Sequence, residues 1–158
     1  MPDIDLSLRQ EDARLVFLAV AYHLGRPGSE LDPITKQPVE HGLAETARDL
    51  QPQLRNAVAT LHLIDSQMKR LQSGMLGSIT ELKAYGVLGA QKSTVPGFDG
   101  ALRHLFPEME EDAENALSIA EQMLLLKRRL DERLAQVPPD EPPDAPESSK
   151  HRWWRFGR

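Results

Sequence analysis

Apolar positions recur through most of the first 136 residues at the three-and-four spacing of a helix face. In "SLRQEDARLVFLAVAYHLGRPG", the stretch from Leu15 to Leu24 is apolar nearly all round apart from Tyr22 and His23. That pattern predicts a helix buried on several sides. Ser7 is the expected N-cap, with Gln10 three residues later as its capping-box partner. Glu11 and Asp12 place negative charge where the helix dipole favours it. Gly25, Pro27 and Gly28 supply the stop.

The longest periodic run is Leu54, Ala57, Leu61, Ile64, Met68, Leu71 and Met75. Its alternating spacings are those of an a/d heptad seam and predict a long helix of coiled-coil type. The register continues to Leu82 and Tyr85, with a kink or break expected at Gly74 and Gly77. Before it, "RPGSELDPITKQPVEHG" holds three prolines and two glycines and reads as a loop. A short helix over about 39–50 follows, and Pro52 forbids its uninterrupted continuation. After it, "GVLGAQKSTVPGFDG" reads as a second loop. A last helix is expected from Pro107 or a little earlier, with the acidic run "EMEEDAE" at its start and Lys127, Arg128 and Arg129 near its end. Its seam is Met109, Ala116, Ile119, Met123, Leu126 and Leu130. Two seamed helices joined by a loop imply an antiparallel hairpin. The predicted fold class is all-α: a three- or four-helix bundle built on a long antiparallel helical hairpin, over residues 1–136, with a disordered C-terminal tail.

Composition breaks sharply after Gln136. Residues 137–149, "VPPDEPPDAPESS", hold five prolines with Asp140, Glu141, Asp144 and Glu147. Such a stretch builds no core and predicts an extended, polyproline-like acidic spacer. Residues 150–158, "KHRWWRFGR", form a basic-aromatic terminal motif that contains both tryptophans of the protein. Four acids in the spacer balance four bases in the motif, so residues 1–136 carry the whole formal charge of −5.

Composition narrows the function. A chain of 158 residues suits one ordinary domain. Hydrophobic residues at 40% and charged residues at 27% are a globular balance, while aromatics at 5% leave the core to aliphatic side chains. There is no cysteine, which excludes disulfides, thiolate metal sites and cysteine nucleophiles. The apolar run "LVFLAVAY" is too short to span a bilayer, and the first residues lack a secretory pattern. The expected location is cytoplasmic.

Candidate chemistry is sparse. The five histidines form neither a Glu-x-x-His nor a His-x-x-x-His pair. His41 and Glu45, at i and i+4, read as an exposed contact with Arg48 nearby. His62 and Asp65 read as a boundary histidine with an acceptor. His23 suits the C-terminus of its helix. The acidic run reads as a solvated, dipole-matched face. No phosphate-binding glycine loop and no nucleophile elbow occurs. No catalytic residue, metal site or cofactor is expected, and the protein is not expected to be an enzyme. Residues 78–103 have the rhythm of a helix-turn-helix, but Pro96, Gly97 and Gly100 would fall inside the second helix. The feature that stands out is the terminal motif. Lys150, Arg152, Trp153, Trp154, Arg155, Phe156 and Arg158 combine the residue types that dominate protein interfaces. The expectation is a helical adaptor or assembly protein that displays this motif to a protein partner. Self-association through unused seam surface is also expected. The alternative is a small regulatory nucleic-acid-binding protein using residues 78–103 and the basic tail, and a membrane surface is a further possible target of the tail.

Overall fold

A computed structural model describes residues 3–90 and 93–136. The chain begins with strict alternation: in Ile4–Arg9, Ile4, Leu6 and Leu8 are buried, while Asp5, Ser7 and Arg9 are exposed. This is the period of a half-buried strand, β1. Helix α1 (Gln10–Gly25) follows without a loop. Helix α2 spans Leu43–Leu50, and a short 3-10 turn at Gln51–Gln53 leads towards a second strand, β2 (Val58–Leu63). Helix α3 runs from Asp65 to Leu88, α4 from Phe98 to Leu105 and α5 from Asn115 to Gln136.

The two strands pair antiparallel, with Ile4 opposite Leu63, Leu6 opposite Leu61 and Leu8 opposite Ala59. Among the described residues the fold is therefore five helices with a two-stranded antiparallel sheet, a mixed α/β architecture that corrects the predicted all-α bundle. The reason lies in two overlapping periods. Leu54, Ala57, Leu61 and Ile64 have helical spacing, yet Ala59, Leu61 and Leu63 also alternate, and β-branched Val58 and Thr60 sit between them. The strand wins because residues 4–9, some 50 positions away in sequence, supply its partner. Leu54 closes the 3-10 turn, Ala57 is exposed, and Ile64 is the N-cap of α3. Ser7 is likewise not a helix cap; it lies on the outer face of β1 opposite Thr60. Arg9 takes the cap position; its side chain makes no capping hydrogen bond but pairs with Glu11 and Asp12 in the first turn, each at 3.6 Å.

The later part of the periodic run is helical as expected. Met68, Leu71, Met75, Leu82 and Tyr85 are buried along α3. No break occurs at Gly74 or Gly77: α3 is continuous through both. These glycines admit α1 instead. A Cβ at position 74 would lie 2.7 Å from the Ala19 carbonyl oxygen, and one at 77 would strike the Tyr22 ring. Gly89, in the left-handed conformation, ends α3, and the Ala90 N–H reaches back to the Ala84 carbonyl at 3.1 Å.

Helices α3 and α5 pack side by side although α4 and not a loop alone lies between them in sequence, and α1 packs on α3 and touches α2, α4, α5 and both strands. Ala116, Ile119, Met123, Leu126 and Leu130 line the buried face of α5. The acidic run is not the start of that helix. Glu108 and Glu110 lie in a 3-10 turn at Pro107–Glu110, and Asn115 is the first residue of α5. Near its C-terminus α5 is fastened to the front of the chain: Arg129 pairs with Asp12 at 3.2 Å, and Arg133 donates to the Asp5 carbonyl at 3.1 Å. The outer edge of β2 is occupied by one side chain. The Gln53 amide donates to the Thr60 carbonyl and accepts from the Thr60 N–H, both at 2.9 Å. No helix among the described residues is long and apolar enough to cross a membrane.

Candidate binding surface

The expected partner-binding residues, Lys150, Arg152, Trp153, Trp154, Arg155, Phe156 and Arg158, lie outside the described residues, as does the spacer 137–149. The body offers a different feature. Pro52 is the second residue of the 3-10 turn after α2, and Pro107 opens another after α4. Each proline stops its helix and turns the chain. The first turn is tied to α1 by Gln10, whose side-chain amide donates to the Leu54 carbonyl at 3.2 Å. Between the two turns and the flank of α1 lies a groove of about 550 Å³, the size of a ligand cleft. Phe17, Leu54 and Leu105 give it apolar surface, Arg14 and Arg55 give it cations, and the His104 imidazole lies beside them. Among the described residues no carboxylate lines it. Neither arginine nor His104 has an ion pair or side-chain hydrogen bond among the described residues. Two unpaired guanidiniums beside an apolar floor suit an anion with an apolar body.

No family model, curated protein or solved structure matches the chain.

The histidines take structural partners. His23 Nε2 lies 2.8 Å from Glu30 Oε2, and Glu30 also accepts from the Ala44 N–H at 3.0 Å. Burial alone would raise the Glu30 carboxyl. The Ala44 N–H, the His23 imidazole and the Leu43 N–H outweigh it and hold the group below the ordinary carboxylate value. This one side chain pins the loop 26–42 to both α1 and the start of α2. His41 Nδ1 sits 3.0 Å from Glu45, the exposed contact the spacing suggests, and this raises its pKa. His62 does not face Asp65. It stands on β2, 2.6 Å from Asp5 and 3.3 Å from Asp3, and the Asp5 bond raises its pKa. Asp65 pairs with Lys69 at 3.0 Å. No group of three metal-ligating side chains occurs among the described residues.

In the helix-turn-helix look-alike, residues 78–88 belong to α3, and the second helix starts at Phe98 rather than near Ser93. Pro96 and Gly97 thus precede it. Helix α4 buries Phe98, Leu102 and Leu105. Its Asp99 accepts from the Tyr85 hydroxyl and pairs with Arg103 at 3.1 Å, and Arg103 also reaches Glu110 at 3.5 Å.

Sequence reasoning missed the groove. Arg14, Arg55 and His104 belong to no motif and are about 40 and 50 residues apart. Only the turns after α2 and α4 bring them together. The prolines that make those turns were the available signal.

Proposed function

We propose that the protein is a non-enzymatic helical adaptor or assembly protein that presents its terminal motif, Lys150 to Arg158, to a protein partner in the cytoplasm. The observation that carries this reading is the placement of both tryptophans beyond the acidic, proline-rich stretch that follows α5. Among the described residues thirty-one apolar side chains are buried, and they form one continuous core. Trp and Arg are the residue types that anchor interfaces. Their cationic neighbours favour an acidic partner surface with apolar pockets. Self-association is part of the same proposal: Leu76, Val87 and Leu88 on α3 and Leu125 on α5 are each at least half exposed.

The test uses the full chain with Trp153→Ala and Trp154→Ala, beside the unaltered protein. A specific partner retained by the unaltered chain and lost from the variant is the expected result. Equal capture by both would overturn the reading. All tryptophan emission comes from the motif, so emission already blue-shifted and shielded from quencher in the isolated monomer would also count against display.

A further inference from the structure

Arg14 and Arg55 in the groove beside α1 have no ion pair among the described residues, and the same chain carries an acidic segment of matching chemistry. We propose that the proline-rich segment 138–147, "PPDEPPDAPE", docks in the groove of Arg14, Arg55 and His104. The inference rests on the reading of the segment as an arm and adds where that arm is held.

Three observations carry it. The first is charge. Residues 137–149 contain Asp140, Glu141, Asp144 and Glu147 and no base, while the described residues that line the groove include Arg14 and Arg55 and no acid. The second is shape. Phe17, Leu54 and Leu105, with Pro52 and Pro107 beside them, form the kind of apolar trough against which proline rings pack. Five prolines restrict the backbone freedom that this sequence can lose on docking. The third is reach. Arg129 on Asp12 and Arg133 on the Asp5 carbonyl hold the last turns of α5 against β1 and the first turn of α1. Asp12 and Arg14 are two residues apart on α1, hence about 200° apart around it. The groove therefore lies across α1 from the point where the chain leaves α5. A helix with side chains is about 10–12 Å wide. At about 3.1 Å per residue, Asp140 lies up to ~12 Å beyond Gln136 and Glu147 up to ~34 Å beyond it. The four acids thus bracket the distance around α1. Because the contact is intramolecular, a weak interaction suffices, the effective concentration being of millimolar order.

Docking here would use the acidic segment and leave residues 150–158 beyond the groove, available to a partner. The arm would then leave the body at a defined place.

The absence of cysteine makes the test direct. A nitroxide on Ala145→Cys in the full chain is the only labelled site. Amide signals of Phe17, Arg55 and His104 are read with the label oxidised and reduced. We expect these signals to fall to about half or less in the oxidised form. They should recover near 1 M salt, where the screening length is about 3 Å. Recovery is also expected in Arg14→Glu/Arg55→Glu, and in a chain carrying Asp140→Asn, Glu141→Gln, Asp144→Asn and Glu147→Gln. The second variant leaves the body unaltered, so a folding defect in the first does not blunt the test. Uniform signals, broadening centred elsewhere, or broadening that survives neutralisation of the four acids would overturn the proposal. So would broadening that passes from a spin-labelled chain to a separate isotope-labelled one. Partner capture that persists when docking fails would sink this inference alone. Equal capture by the unaltered chain and the tryptophan variant, with broadening intact, would sink only the adaptor reading.

Discussion

Single side chains decide several local features, and each can be checked. Gly74 sits where α3 crosses α1, and an added Cβ would press on the Ala19 carbonyl oxygen at 2.7 Å. The obstacle is backbone, which cannot rotate away. Gly74→Ala should therefore destabilise by about 1–3 kcal/mol, despite the better helix propensity of alanine; urea denaturation would show the loss. Glu30 is held below its ordinary pKa by bonds made only in the folded state. A depressed folded pKa means that its contribution is present above the unfolded value and lost as pH falls through the folded one. The stability of Glu30→Gln should thus fall less steeply on acidification than that of the unaltered protein. His62 has the opposite sign. Its bond to Asp5 raises its pKa, so the pair helps most in acid and the benefit is lost as pH rises through the folded value. Proton NMR of the imidazole should place its titration above the ordinary histidine value, and Asp5→Asn should move it back down.

At the scale of elements, the sequence was legible wherever one period stood alone. Helix α1 stands where the apolar run lies, and the seam positions of α5 from Ala116 to Leu130 are all buried, with Ala120 beside them. Pro52 marks the end of α2 within two residues. Legibility failed where two periods shared residues. Leu54 to Ile64 satisfies a heptad and an alternation at once, and the pairing that decides between them lies far away at Ile4–Arg9. Local patterning contains no term for such a partner. The groove was illegible for the same reason, since its cations meet only through tertiary structure. The strand assignment predicts a coupling that a helical seam would not. Leu6 and Leu61 are opposite one another across the sheet. Leu6→Ala and Leu61→Ala should each cost about 2–5 kcal/mol. A double-mutant cycle should give a coupling of at least ~0.5 kcal/mol, because directly facing residues are not additive. Strictly additive effects would argue against the register.

For the whole molecule, the body and the tail divide the work by composition. The body holds a mainly aliphatic core, with Tyr85, Phe98 and Phe106 in it, and all of the net charge, while both tryptophans lie in the neutral remainder of the sequence. That body also solves a problem created by its own sheet. Two strands have two open edges, and an open edge is a template on which another chain can add a strand. The Gln53 amide reproduces at Thr60 the pair of hydrogen bonds that a neighbouring strand would make. It is a strand one residue long, and it cannot be extended. Removing it should matter little to the isolated molecule and a good deal to a crowded solution. Gln53→Ala should speed hydrogen exchange at the Thr60 amide while leaving the Leu61 and Leu63 amides slow. At high concentration the variant should form sheet-rich oligomers that the unaltered chain does not, which light scattering and infrared spectra would register. One glutamine would then set how concentrated this protein can become before its molecules begin to share a sheet.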